Sequence, residues 1–258
     1  MAHLCGPARG SAWTLKRGWR GVVPALDGLR CIVPNLPLGA HRTAMSPSAD
    51  LSPPAIADLV VEFLDALGLP EATIVANDTG GAIAQMLAAR HPERVSRLLL
   101  TPCDTYDNFL PPTFRYLQAV ARIPGGLAVL AQSLRIRPLR RLPFAFGRLT
   151  KRPLEHDLLD AWLEPMRRDP GVRCDLAKVL RGIRRRDLLD AAERLKGFER
   201  PVLLAFAPED PFFKLDHAER MARELPNARV ERIEDSGALA PLDQPARVAE
   251  LVRELVAT

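Results

Sequence analysis

The residues best suited to do chemistry lie where a short apolar run meets a helical pattern. Residues 72–76 predict a buried strand, and residues 80–90 predict a helix. Asp78 lies in the tight turn between them, with Ala76 two positions before it and Gly80 two positions after it. Small flanking residues permit a sharp turn that raises one side chain above a sheet, at a helix N-terminus that favours negative charge. A carboxylate held there can attack an electrophilic carbon, although an aspartate in this place could also simply cap the helix.

Elements of two kinds must position this turn. Buried strands are predicted at residues 31–33, 72–76, 98–100, 202–207 and 230–233, and helices at residues 54–67, 80–90 and 245–256. Apolar strands that alternate with helices indicate an α/β fold with a mostly parallel sheet flanked by helices. Asp104 follows the third of these strands and Asp210 follows the fourth.

The middle of the chain has a different pattern. Residues 111–198 contain helical patterns interrupted by prolines and no convincing strand. We therefore predict a core formed by residues 1–103 and 199–258, with a helical insertion at residues 104–198. This insertion carries 19 basic against 11 acidic residues, whereas the whole chain has a net charge of +5. A basic stretch could bind an acidic ligand, a nucleic acid or a membrane surface. A solvated arginine-rich surface is the favoured explanation, because few aromatic residues are present to stack on bases.

Composition narrows the function classes. The 258 residues are 47% hydrophobic and 26% charged, which is typical of a globular protein. No run approaches the roughly 18 apolar residues of a membrane span, and no secretory signal is visible. The four cysteines are far apart, which argues against a zinc site or disulfide framework and favours a cytoplasmic location. No nucleotide-binding or metal-binding motif occurs, so we expect no cofactor. We also expect no nucleic-acid partner and no membrane partner.

From residue 19 to the C-terminus the chain resembles the α/β-hydrolase superfamily. The likeness is carried by the turn at Asp78 and by residues 22–26, 31–37, 88–95, 203–211 and 243–245. An aspartate at the turn is similar to the branch that contains haloalkane dehalogenases, fluoroacetate dehalogenases and epoxide hydrolases. The resemblance implies that Asp78 is a nucleophile that forms an alkyl ester, and that the helical insertion is a cap over the pocket.

The resemblance also implies partners for Asp78. Asp210 takes the position of the acid that orients a histidine, and Asp104 is an alternative acid position used by some relatives. Each aspartate has a simpler interpretation. Asp210 precedes Pro211 and could be a turn residue, and Asp104 could be a loop residue at the start of the insertion.

The histidine of the family is missing. It is expected six residues before Gln244, where this chain has Ala238. His41 could approach the pocket and act as a substitute, whereas His91 and His217 occupy places where a structural role is usual. Because a general base contributes about 10²–10⁴-fold, we expect slow hydrolysis of an ester on Asp78.

The oxyanion side of the pocket departs from the family as well. Gly10 is the best match to the glycine of the family's oxyanion loop, and Thr79 and Trp13 are the other residues expected near it, together with Asp104. Residues 1–8 contain too little apolar sequence for a central strand, so the sheet is expected to be N-terminally reduced.

The sequence therefore predicts a hydrolase that attacks a small hydrophobic ester, halide or epoxide through Asp78. Two alternatives remain. Asp78 could act as a base in a non-hydrolytic step such as elimination, cyclisation or C–C cleavage, or the pocket could bind a ligand without chemistry.

Overall fold

A computed structural model describes residues 2–7 and 18–257. The strands are β1 (Ala2–Pro7), β2 (Leu29–Ile32), β3 (Ala72–Asp78), β4 (Val95–Cys103), β5 (Val202–Phe206) and β6 (Ala228–Arg232). The helices are α1 (Pro53–Ala66), α2 (Thr79–Arg90), α3 (Tyr116–Val120), α4 (Gly126–Ser133), α5 (Arg137–Arg140), α6 (His156–Arg168), α7 (Pro170–Gly182), α8 (Arg185–Leu195), α9 (Leu215–Glu224), α10 (Ala240–Asp243) and α11 (Pro245–Ala257).

The strands form one sheet in the order β2-β1-β3-β4-β5-β6. The pairs β3–β4, β4–β5 and β5–β6 are parallel, and β1 is antiparallel to both of its neighbours. The α/β architecture with a mostly parallel sheet, predicted from the alternation of strands and helices, is thereby confirmed.

The expectation that the N-terminal residues form no central strand was wrong. Ala2–Pro7 lies between β2 and β3, with Leu4 opposite Ile32 on one side and Ile74 on the other. A strand is held in a sheet by its backbone hydrogen bonds to both neighbours, so six residues without a continuous apolar run can occupy an interior position.

Helices cover both faces of the sheet because successive side chains of each strand point to opposite sides. Ile74, Leu98 and Leu204 belong to the larger core, which is packed against α1, α2, α8 and α9. Val75, Leu99 and Leu203 belong to the second core, together with Trp19 and the apolar face of α11. Because β3, β4 and β5 are parallel, their carboxyl ends meet at one edge of the sheet. The sheet itself lies between the two packed layers.

The chain between β4 and β5 is helical throughout its regular elements. It contains α3 to α8, and the part of the chain described has no strand there. Apolar residues of α4 and α7 continue the larger core through Leu127, Val179 and Leu180, and α8 packs on α2. Within residues 2–7 and 18–257, no helix combines the length and the apolar character required to cross a membrane.

Candidate active site

Asp78 occupies a strained position between β3 and α2. Its φ of 55° and ψ of −139° lie outside the regions that residues with a Cβ normally adopt. Asp78 Oδ1 accepts a hydrogen bond from the Thr79 amide at 2.8 Å. A Cβ on Gly81 would lie 2.3 Å from Cys103 Cβ, so the packing of α2 on β4 requires glycine there. The sharp turn predicted from the small residues is therefore present, and it carries the carboxylate at the end of the strand.

Relief of this strain should be measurable. We expect Asp78→Gly to have a free energy of unfolding about 1–2 kcal/mol higher than Asp78→Ala, because alanine keeps the Cβ that makes these dihedral angles costly. Urea denaturation of the two variants at one pH provides the comparison. The matched control is Asp216, an exposed residue in the first turn of α9, where glycine should be less stable than alanine. Equal stability of Asp78→Gly and Asp78→Ala would contradict the strain.

Two adjoining apolar cavities, of about 280 and 270 Å³, meet at this turn. Asp78 and Thr79 line both of them. The shared walls are apolar side chains, most of them from the insertion: Leu38, Phe146, Leu149, Leu163, Met166 and Leu176. Asp78 is the only acidic or basic residue among the described residues that line either cavity. Its carboxyl group thus faces a space suited to a small apolar molecule.

Burial changes the protonation of Asp78. Desolvation raises the pKa of its carboxyl group above the usual value, and the hydrogen bonds from the Thr79 amide and hydroxyl act in the opposite direction. The hydrogen bond from the Thr79 amide engages Oδ1, so Oδ2 is left to contact a reacting atom. The environment therefore makes this carboxylate more basic than an aspartate in water while the helix N-terminus still supports its charge.

Asp210 is placed close enough to influence Asp78. It follows β5, is buried, and accepts a hydrogen bond from the Phe212 amide on Oδ1 at 2.8 Å. Its other oxygen, Oδ2, is buried without a hydrogen-bond partner in the described structure. Burial, reinforced by the negative charge of Asp78, raises the pKa of Asp210 to about 7, against the backbone hydrogen bonds that lower it.

Asp104 is a third carboxyl group in this region. It follows β4 and is fully buried, and neither of its carboxyl oxygens has a hydrogen-bond partner within the described residues. Burial and the charge of Asp78 raise its pKa well above the usual value. The three aspartates singled out from the sequence are thus brought into one electrostatically linked group, although Asp78 alone lines the cavities.

The loop that would carry a histidine is held next to Asp78. Ala238 is fully buried, and its carbonyl oxygen accepts a hydrogen bond from Asn77 Nδ2 at 2.8 Å. The same Asn77 amide group donates to the carbonyl of Pro102 at 2.9 Å. Asn77 therefore ties the loop after β6 to the ends of β3 and β4. Position 238 lies beside the turn, but its alanine offers no base.

His41 does not replace the missing histidine in this structure. Its ring is buried, with Nε2 3.0 Å from Asp175 Oδ2, and Nδ1 accepts a hydrogen bond from the Gly39 amide at 3.3 Å. Asp175 belongs to α7, so His41 joins the loop after β2 to the insertion. With both ring nitrogens engaged and no contribution to the cavity walls, His41 serves as a structural link, which corrects its interpretation as a substitute base.

The other described histidines also have contacts outside the cavities or lie apart from them. His217 Nδ1 is 3.0 Å from Thr105 Oγ1, and His91 Nε2 is 2.8 Å from Asp58 Oδ1. His156 lies at the start of α6 and lines neither cavity. Within residues 18–257, the cavities therefore contain no histidine side chain.

Of the remaining predicted residues, Thr79 lines both cavities. Gly10 and Trp13 lie outside the described residues. Within the described part of the chain, no group of three or more potential ligands is arranged to hold a metal ion.

Sequence analysis did not identify which residues of the insertion line the cavities. Trp162 of α6 lines one cavity, and its buried Nε1–H has no hydrogen-bond partner among the described residues. Phe146, Met166 and Leu176 also contribute to the walls. Their apolar spacing predicted helices but carried no signal that these side chains face Asp78, since that direction depends on how the insertion packs on the core.

Comparisons with known proteins agree with this architecture. A family model described as alpha/beta hydrolase fold matches residues 10–245. The chain is 27% identical over 260 aligned positions to a 2-hydroxymuconate semialdehyde hydrolase from Pseudomonas sp. (strain CF600), across 100% of this chain and 86% of that protein. It is 28% identical over 246 positions to a pimeloyl-(acyl-carrier protein) methyl ester esterase from Aromatoleum aromaticum, across 92% of each.

Solved structures show the same fold. An alpha/beta hydrolase fold protein from Burkholderia ambifaria superposes with a TM-score of 0.74 at 20% identity, covering 93% of this chain and 86% of that one. A haloalkane dehalogenase from Bradyrhizobium elkani superposes with a TM-score of 0.69 at 21% identity, with the same coverage of 93% and 86%.

Proposed function

This chain belongs to the α/β-hydrolase fold family, and we propose that it acts on a small hydrophobic electrophile, such as a halide, an epoxide or an ester, with Asp78 as the nucleophile. The observation that carries the proposal is the carboxyl group of Asp78, which is held on the strained turn and lines both apolar cavities. The characterised relatives named above are hydrolases, which supports hydrolytic chemistry without identifying the substrate.

The proposed step is a displacement at carbon. Asp78 Oδ2 forms a bond to the electrophilic carbon, and the electron pair of the broken bond leaves with the halide, the opened epoxide oxygen or, after attack at the acyl carbon of an ester, the alcohol oxygen. The apolar walls exclude water from the reacting atoms, so the carboxylate is poorly solvated and more reactive. The product of this step is an alkyl ester on Asp78 from a halide or an epoxide, and a mixed anhydride from an ester.

The surroundings of Asp78 favour accumulation of that ester. Its hydrolysis needs a water molecule activated by a base, and position 238 is alanine. Asp210, whose pKa is raised to about 7, is the described group best suited to assist at neutral pH. We expect the covalent ester to be the longest-lived species in the reaction.

Intact-protein mass spectrometry tests the proposal directly. After incubation with a panel of alkyl halides, epoxides and activated esters, the wild-type protein should gain the mass of one alkyl, hydroxyalkyl or acyl group, respectively, and Asp78→Ala should gain none. Asp104→Asn is the matched control, because it removes a neighbouring buried carboxyl group that lines neither cavity; it should still be alkylated. A folded wild-type protein that yields neither adduct nor product across the panel would contradict the nucleophilic role.

A second candidate is supported by the raised pKa of Asp78 and by the absence of a histidine among the described cavity residues. Asp78 would then act as a base that removes a proton from the substrate in an elimination, cyclisation or C–C cleavage. Product formation without a mass adduct, abolished by Asp78→Asn, would favour this function. Tight ligand binding without turnover that survives Asp78→Ala would instead indicate a binding protein.

A further inference from the structure

The most one-sided charge distribution of the chain lies in residues 108–154, which we call the basic segment. It contains nine arginine and lysine residues and no aspartate or glutamate. The other residues of the chain are net negative, with 27 basic against 31 acidic side chains. The positive charge of the protein is therefore concentrated in the part of the insertion that contains α3, α4 and α5.

The surface of the basic segment also exposes large apolar side chains. Of the five such side chains in the described part of the chain, four belong to this segment. They are Ile123, Val129, Ile136 and Phe144, with exposed fractions of 59%, 71%, 57% and 50%. Single exposed apolar residues are ordinary, but four of them fall within 22 positions of this one segment.

Helix α4 contributes to a cavity wall on one side and to the exposed surface of the protein on another. Leu127 and Leu130 line one of the cavities that Asp78 also lines. Val129 is exposed on the same helix, and Ile123 and Ile136 lie just beyond its two ends. Helical geometry separates positions 127 and 130 from position 129, so the outward direction of Val129 follows from the burial of the cavity face. The basic segment is thus a wall between the cavity and the outside.

Six arginines on this segment are free to bind anions. Arg115, Arg122, Arg135, Arg137, Arg141 and Arg148 are exposed, and none is within ion-pair distance of a carboxylate of the described residues. The other three basic residues are paired: Arg140 with Asp160, Lys151 with Glu209 and Arg152 with Asp235. The basic segment therefore exposes large apolar side chains together with arginines that form no ion pair among the described residues, although Arg135 lines a polar cavity with Asp157, Asp160 and Glu164.

We propose that the basic segment docks on an anionic lipid surface. Ile123, Val129 and Ile136 enter the boundary between headgroups and acyl chains, and the exposed arginines bind lipid phosphates. Sequence alone led us to expect no membrane partner. The proposal departs from that expectation for docking at the surface only, because the outward exposure of these apolar residues depends on the packing of α4 and is not visible in the sequence. No described helix has the length and apolar character to span a bilayer. This docking does not depend on the chemistry proposed for Asp78.

The apolar residues decide between lipid and nucleic acid. Proteins that bind single-stranded nucleic acid stack its bases on aromatic rings. Three of the four exposed apolar side chains here are aliphatic. The ring of the fourth, Phe144, packs edge-on against Tyr116 with centroids 6.2 Å apart. Aliphatic side chains beside arginines match a bilayer surface, where each basic residue near anionic lipid strengthens binding about fivefold.

Co-sedimentation of the full chain with vesicles tests the proposal. We expect binding to vesicles of phosphatidylcholine with 30% phosphatidylglycerol, no binding to phosphatidylcholine alone, and weaker binding as salt rises. Arg135→Gln/Arg137→Gln/Arg141→Gln should weaken binding about 100-fold, and Ile123→Ser/Val129→Ser/Ile136→Ser at least about tenfold. Circular dichroism should show that both variants are folded, because all the changed side chains are exposed.

The matched control lies on α8. Leu189 is the fifth exposed apolar side chain, at 43%, and lies close in sequence to Arg184, Arg185 and Arg186, but Asp187 and Asp190 are interleaved there. Leu189→Ser combined with glutamine at the three arginines should bind anionic vesicles like the wild type. Equal binding to neutral and anionic vesicles, an unchanged affinity in both segment variants, or binding to single-stranded DNA without vesicle binding would overturn the proposal.

Discussion

Ala238→His is expected to shorten the lifetime of the ester on Asp78 and to raise steady-state hydrolysis by about 10²–10⁴-fold, the usual contribution of a general base. The loop at position 238 is held to the end of β3 by Asn77, so the new imidazole would lie beside the turn. The unpartnered Oδ2 of Asp210 is available to accept its N–H and orient the ring. The other ring nitrogen would activate water.

The rate of loss of the adduct mass, together with product formation, measures this effect. Ala238→Gln is the matched control, because glutamine has a similar size but is not a base. Ala238→His/Asp210→Asn should lose most of the gain, since the ring would lack its orienting carboxylate. An adduct lifetime in folded Ala238→His that equals that of the wild type would contradict the idea that hydrolysis is limited by the missing histidine.

Asp210→Asn is expected to stabilise the protein above pH 7 and to lose this advantage in acid. The folded protein holds the Asp210 proton with a pKa raised to about 7, compared with 3.8 for a free carboxyl group. Between these values the folded state binds the proton and the unfolded state does not. The free energy of unfolding of the wild type therefore falls as pH rises from about 4 to about 7, by up to about 4 kcal/mol.

Asparagine is neutral and therefore avoids this loss of stability, but it introduces a buried amide group without an identified hydrogen-bond partner. The net gain expected at pH 8 is about 1–3 kcal/mol. Urea denaturation between pH 5 and pH 8 should show the gain shrinking as pH falls. Asp104→Asn should change stability in the same direction, because burial raises the pKa of Asp104 as well. Asp107→Asn, at an exposed neighbouring position, is the control. An Asp210→Asn variant no more stable than the wild type at pH 8 would contradict the buried charge.

The predictions for Ala238→His and Asp210→Asn concern the same group of buried carboxyl groups, which supports the proposed reaction but lowers the stability of the folded protein. Carboxyl groups without hydrogen-bond partners are costly to bury, and Asp104 and Asp210 are both of this kind. A histidine between such groups would donate N–H hydrogen bonds to them and, when protonated, offset their charge. Its replacement by Ala238 leaves the carboxyl groups unsatisfied, which explains why the same region is proposed to control both turnover and pH stability.

The turn at Asp78 shows how much could be predicted from local pattern. An apolar run, small residues around an aspartate and a helical repeat are neighbours in sequence, so their spacing was enough to predict the strand, the turn and the helix. The requirement for Gly81 was not visible, because it comes from contact with Cys103 on the next strand. The strand Ala2–Pro7 was missed for a related reason: its place depends on hydrogen bonds to two other strands.

His41 marks the limit of sequence reasoning on the site. Its position after a strand was compatible with a place in the pocket, but its partner Asp175 is 134 residues away in the chain. Nothing near His41 in sequence indicates that contact. The cavity walls were hidden in the same way, since an apolar residue on a helix shows only that some face is buried.

The α/β fold class, the carboxylate at the turn and the absence of a histidine at position 238 follow from the sequence, because they depend on residue identity and on periodicities of a few residues. The order of the strands, the linkage of three buried carboxyl groups and the outward exposure of Ile123, Val129 and Ile136 emerged only in the folded chain. Those features depend on distances between residues far apart in sequence, and such distances are set by packing.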